Sequence, residues 1–160
     1  MTFCNDPEIL RRCVEFHAEY VATLSQSFGP DAFTALLIFQ PVPSYMAVIR
    51  QQKCGNMLGL DAVHYNAVMW TAGVSVNDET APTIAPAELN VMTAKVRELS
   101  VSMNGDIDLV YINYADSSQD PLGSYGAKNI QHMRDVAAKY DPTGVFQQRI
   151  PGGFKISKVV

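Results

Sequence analysis

The chain predicts one domain of mixed helices and strands, its strands gathered in a sheet. Three observations lead there. Segment 65–77 alternates Val68, Trp70, Ala72, Val74 and Val76 with Ala67, Met69, Thr71, Gly73 and Ser75. One face of that strand is wholly apolar and the other mixed, the pattern of a strand lying between a core and something wetter. Apolar residues recur at helical spacing after Pro7, over 86–103 and over 128–139. The elements follow in the order helix, strand, short helix, strand, helix, strand, helix. That order leaves a parallel α/β sheet and an antiparallel α+β sheet both open.

Each element has its own signals. Asp6 is a good N-cap and Pro7 suits the first helical position. Leu10, Cys13, Val14, His17, Val21 and Leu24 then share one face, and Gly29-Pro30 ends the helix. Residues 33–40 are short, apolar and bounded by Pro41 and Pro43, a strand pattern. Residues 44–52 read as a brief helix closed near Gly55. In 86–103, Leu89, Met92, Val96 and Leu99 face inward, and residues 108–114 read as a third strand. In 128–139, Ile130, Met133, Val136 and Ala137 face inward, until Asp141-Pro142 stops the helix.

Composition narrows the function. The chain has 160 residues, 48% hydrophobic and 18% charged, which describes a globular protein. A net charge of −4 and the lack of any Lys/Arg cluster beyond Arg11-Arg12 argue against nucleic acid as a partner. No apolar run approaches the roughly 20 residues of a membrane span, and residues 1–7 lack the apolar core of a signal peptide. Cys4, Cys13 and Cys54 are odd in number and lack metal-ligand spacing. Free thiols in a reducing, cytoplasmic compartment are expected, and no metal.

The densest signals lie in 109–154. They are Tyr111-Ile-Asn113-Tyr114-Ala-Asp116, Gln119-Asp120-Pro121-Leu122-Gly-Ser-Tyr125-Gly126, Tyr140-Asp141-Pro142-Thr-Gly144-Val-Phe146 and Pro151-Gly152-Gly153-Phe154. Upstream stand Phe39-Gln40-Pro41, Gly55-Asn56-Met57-Leu58-Gly59-Leu60, and Trp70 through Val76 before Asn77-Asp78-Glu79. In this order the chain resembles the substrate domain and C-terminal tail of the berberine-bridge-enzyme-like FAD-linked oxidases, the fungal ones above all. The resemblance implies an antiparallel sheet with helices on one face, hence an α+β fold, with 1–160 as one substrate-domain-like unit and 109–154 as the family's tail. That family binds FAD through a region ahead of this one, often tethered to a His and a Cys. No such region, GxGxxG or P-loop stands in this sequence; Gly123-Ser-Tyr-Gly126 lacks the spacing and the preceding strand. Tight FAD binding is therefore not expected, nor any other cofactor.

The resemblance also implies a site. Its Tyr-x-Asn-Tyr strand faces substrate and flavin ring, and the proton-abstracting role falls on Tyr114, with Tyr111 and Asn113 beside it. Asp116 would accept a proton. Gln40 would border the substrate pocket, and Met69 and Thr71 would line it. The structural alternatives are plain: half-buried strand tyrosines, an Asn113 that bonds a loop, a Gln40 that satisfies a turn. Trp70 packs the core. His17 reads as a half-buried helix residue, His132 as solvent-facing and His64 as a loop residue.

The function implied is a stand-alone, flavin-independent enzyme of fungal secondary metabolism, an isomerase, dehydratase or cyclase working on a small molecule by positioning and proton transfer. The alternatives are a fragment or inactive remnant of an FAD-dependent oxidoreductase, and a non-catalytic ligand-binding subunit. A sheet face without a flavin region to cover it predicts a homodimer, with sheets packed or continued across a two-fold axis.

Overall fold

In the computed structural model of the chain, the Asp6 carboxylate accepts the N–H groups of Glu8 (2.8 Å) and Ile9 (3.1 Å), and helix α1 (Pro7–Phe28) follows from that cap. Residues 1–60, 63–77 and 84–159 are described; Asp78 and Glu79 lie outside them. The chain clusters into two compact units, one of residues 2–42 and 66–107, the other of Met1, 43–65 and 108–160.

The first unit holds the sheet. Strands β1 (Thr2–Cys4), β2 (Phe33–Val42), β3 (Ala67–Val76) and β4 (Asp106–Ile107) stand in the order β2-β3-β1-β4, every neighbouring pair antiparallel. The fold class is therefore α+β. Phe39 faces Trp70, Leu37 faces Ala72 and Ala35 faces Val74, while Phe3 faces Val68 from the other side. This is the face over which α1 and α3 (Ile84–Ser102) pack. Phe3, Ile9, Cys13, Leu24 and Val96 are fully buried there, and Trp70 and Met92 nearly so. The opposite face carries Thr34, Leu36, Ile38 and Gln40 of β2, all exposed.

In this unit and the segment after it, three sequence expectations need correction. The α1 stripe is rotated: Ile9, Cys13, Tyr20 and Leu24, at helical spacing, are buried and Val14 is 52% exposed, the face being chosen by packing on the sheet and α3. The strand over 33–40 runs on through Pro41 to Val42. The bond from Asn77 N–H to Ala32 C=O (2.8 Å) fixes the ladder phase, so that even-numbered residues of β2 bond β3. Pro41 is odd-numbered, so its missing N–H falls on the open edge, where proline costs no ladder bond.

The third correction is larger. The strand expected over 108–114 does not form; only Asp106–Ile107 pairs with β1, and Ile112–Tyr114 is a 3₁₀ turn. Leu109 and Val110 are both buried, which a strand with alternating sides disfavours. Side chains take over the backbone bonding, Ser124 Oγ accepting from Val110 N–H (3.0 Å) and Tyr125 Oη from Ile112 N–H (3.1 Å).

In the second unit, α2 (Tyr45–Gln52) buries Arg50, whose guanidinium donates to the carbonyl (2.9 Å) and side-chain oxygen (3.2 Å) of Asn56. Helix α4 (Ala127–Tyr140) buries Ile130 but leaves Val136, expected inward, 42% exposed. Asp141 then caps α5 (Val145–Gln148), accepting from Val145 N–H (2.8 Å) and Phe146 N–H (2.9 Å). No helix of the described residues is long and apolar enough to cross a membrane.

All three cysteines are free thiols, and burial pushes that of Cys13 up to about 12. His17 is half-buried with Nε2 enclosed and unpartnered, and burial holds its imidazole below the ordinary 6.5. Below pH ~6.5 the unfolded chain takes up a proton that folded His17 resists, so this histidine lowers stability as pH falls. Urea unfolding between about pH 7 and pH 5 is expected to show a steeper loss for wild type than for His17→Leu. Equal slopes would remove His17 as the cause.

Candidate functional site

The site the sequence points to is built on a turn and not on a strand. A strand would send Tyr111 and Tyr114 to opposite faces, since side chains alternate. In a 3₁₀ turn residues three apart eclipse, and the two rings meet edge to face with centroids 5.1 Å apart. Asn113 Nδ2 donates to Tyr111 Oη at 2.8 Å. With its oxygen accepting from Asn113, the Tyr111 hydroxyl keeps its own proton to donate outward. Tyr114 is 50% exposed.

What holds the turn in place comes from downstream. Buried Tyr125, in the 3₁₀ turn Gly123–Tyr125, accepts the Ile112 N–H. Ser124 Oγ donates to Pro121 C=O (2.7 Å) while accepting from Val110, and Asp120 Oδ1 accepts from Gly123 N–H (2.9 Å). Asn129 Nδ2 then donates to the carbonyls of Tyr125 (2.9 Å) and Met57 (3.3 Å). Gly59, at φ +70°, passes so close that a Cβ there would sit 2.8 Å from Tyr125 O. The Gly-Asn turn and the 120–129 segment thus form one frame behind Tyr111, Asn113 and Tyr114.

Asp116 is turned into its own loop. Its Oδ1 accepts from the N–H (2.9 Å) and hydroxyl (2.6 Å) of Ser118, which hold its carboxyl below the usual range. It is a carboxylate at neutral pH, with one oxygen already engaged. Gln40, Met69 and Thr71 belong to the other unit. Gln40 stands opposite Met69 in register and Thr71 opposite Ile38, all four on the sheet face away from the helices. Met69 is buried, Thr71 half-buried and Gln40 exposed. The structure gathers the tyrosine cluster in one unit and these three residues in the other.

Tyr125 and Gly59 were not assigned a role from sequence. The signal for Tyr125 was faint: a buried phenol needs a partner, but its partner lies thirteen residues back in the chain. Two hollows also escaped sequence reading. One, of about 340 Å³, is lined by Met57, His132, Met133, Val136, Ala137 and Ile156; the other, of about 320 Å³, by Ser44, Tyr45, Ala47, Val48, Gln51 and His64. Tyr111, Asn113 and Tyr114 line neither.

Two features bear on phosphate binding. The N-terminus of α1, a natural phosphate seat, is filled by the Asp6 carboxylate and flanked by Glu8. No glycine-rich turn links a strand to a helix among them: Gly126 precedes α4, but a 3₁₀ turn precedes Gly126. No group of three or more His, Cys, Asp or Glu is placed among them to hold a metal ion.

Comparison with known proteins adds the rest. No protein-family model matches the chain, and no solved structure does. The chain is 34% identical over 99% of its length to the FAD-dependent monooxygenase drtC of Aspergillus calidoustus. It is 32% identical over 98% to the FAD-dependent monooxygenase tpcD of Cochliobolus heterostrophus, and 29% identical over 98% to sdcF of Emericella nidulans, of the same description. It spans 30%, 30% and 33% of those relatives' own lengths. These names correct the expected place among the berberine-bridge-enzyme-like oxidases. The motifs behind that expectation are largely turn-setting Gly, Pro, Asp and Tyr positions; they report loop geometry, and shared geometry does not carry the reaction with it. What the comparisons establish is similarity, along nearly the whole of this chain, to part of several fungal proteins named FAD-dependent monooxygenases.

Proposed function

We propose that this chain holds a small organic molecule and acts on it by proton transfer and positioning, as the substrate-side portion of a protein related to fungal FAD-dependent monooxygenases of secondary metabolism. The observation that carries the reading is the Tyr111–Asn113–Tyr114 cluster: an outward hydroxyl proton, a phenol beside it and a frame behind both. Tyr111 donates to a ligand carbonyl while Tyr114 exchanges the proton. An isomerisation, dehydration or cyclisation needs no more than that from protein side chains. A phenol is a weak general base, so the substrate must carry an acidic C–H or O–H, as enolisable ketones and phenols do.

A second reading is favoured by the coverage. The chain corresponds to about a third of each relative, so the same cluster also suits the substrate wall of an FAD-dependent oxidoreductase whose flavin is held by residues other than those described.

One experiment separates them. The purified chain is titrated with FAD, followed by flavin fluorescence, and then assayed against enolisable aromatic ketones. The first reading expects no stoichiometric flavin binding at micromolar concentration, and turnover that falls by about 10²- to 10⁴-fold in Tyr111→Phe or Tyr114→Phe with circular dichroism unchanged. The second reading, in which other residues hold the flavin, expects no turnover by the chain alone; stoichiometric flavin binding would count against both. Full turnover in both variants would show that the cluster is not the site.

A further inference from the structure

Among the described residues β2 pairs with β3 alone, which leaves a ten-residue edge open. Its phase is known: the even-numbered residues bond β3, so Phe33, Ala35, Leu37 and Phe39 point their N–H and C=O groups outward, and Pro41 its C=O. Along this edge the face away from the helices exposes Leu36 (55%) and Ile38 (49%). Residues 33–42 carry no charged side chain, so the strand lacks the lysines that commonly guard an edge and can face itself without like-charge repulsion.

We infer that two copies of this chain join edge to edge through β2, antiparallel about a two-fold axis at Leu36, so that their sheets become one. The register follows from the backbone. Opposed residues exchange both bonds only when outward residues face outward residues, which places the axis on a residue and not between two. With Leu36 on the axis, Phe33 faces Phe39 of the second copy and Ala35 faces its Leu37. Every outward N–H and C=O over 33–39 then finds a partner. Moving the axis to Leu37 sets Phe33 against Pro41, which has no N–H to give. Moving it to Ala35 sets Phe39 against Asp31, before the strand begins. The side chains agree with the backbone: Leu36 meets its own counterpart and Ile38 meets Thr34, covering the two exposed aliphatic groups.

Sedimentation equilibrium of the full chain at tens of micromolar is expected to give twice the 17.6 kDa chain mass. Leu36→Lys, which brings two ammonium groups together on the axis, is expected to weaken the dimer more than tenfold with circular dichroism unchanged. In a Cys54→Ser background, Leu36→Cys is expected to oxidise to a cross-linked dimer, since opposed residues of a non-hydrogen-bonded pair lie about 4.5 Å apart at Cα, within disulfide reach. Thr34→Cys under the same oxidant is expected to stay uncross-linked. A monomeric wild type, its edge left for a strand of another protein, overturns the inference. So does a dimer that Leu36→Lys leaves intact, or one that cross-links through Thr34→Cys and not through Leu36→Cys.

Discussion

Phe3→Ala is expected to lower the unfolding free energy by about 3–5 kcal/mol, against a typical total of about 5–15 kcal/mol. Phe3 is fully buried and sits in the central strand β1, opposite Val68 of β3 on one side and Asp106 of β4 on the other. Strand β1 has three residues, so few ladder bonds hold it and its side chains carry much of the attachment. Removing the ring leaves a cavity beside Val68 that a sheet paired on both sides of β1 closes poorly. Urea unfolding followed by tryptophan fluorescence reads the loss directly, because Trp70 lies on the same face, one residue beyond Val68 and its neighbour Met69. A loss under about 1 kcal/mol would mean that β1 is not the core strand its burial indicates.

Gly59→Ala is expected to cost about 2–4 kcal/mol, from two sources. A φ of +70° penalises any L side chain by about 1–2 kcal/mol, and the new methyl would meet Tyr125 O at 2.8 Å, a backbone atom that cannot swing aside. Gly55 provides the control. Its φ of +82° carries a similar penalty, but a Cβ there meets nothing within 4 Å. The excess of Gly59→Ala over Gly55→Ala therefore measures the close approach alone. The consequence reaches the site: moving Tyr125 disturbs the bonds to Ile112 N–H and Asn129 that place Tyr111, Asn113 and Tyr114. Turnover should fall in Gly59→Ala and hold in Gly55→Ala. Equal destabilisation of the two would show that Tyr125 yields freely.

Much of the fold was legible because its signals are local. The Asp6-Pro7 start of α1, the stop at Gly29, the alternation of β3 and the Asp141-Pro142 end of α4 each depend on residues within a turn or two of one another. The run Leu109-Val110-Tyr111-Ile112 misled for the complementary reason. Its side chains favour a strand, yet the groups that claim its N–H bonds, Ser124 Oγ and Tyr125 Oη, come from more than ten residues downstream. Two- and three-residue strands such as β4 and β1 are too short to show a period at all.

By itself, the sequence determined that helices and strands would mix, where the long elements start and stop, which β3 side faces the core, and which tyrosines and asparagine merit attention. Tertiary structure alone decided that the sheet runs β2-β3-β1-β4, that Pro41 belongs to an open edge, and that Tyr111 and Tyr114 share a turn. The division has a physical cause. Capping, periodicity and proline stops act through neighbouring residues, whereas strand order and the bracing of the 111–114 turn depend on donors and acceptors that meet only after the chain has folded.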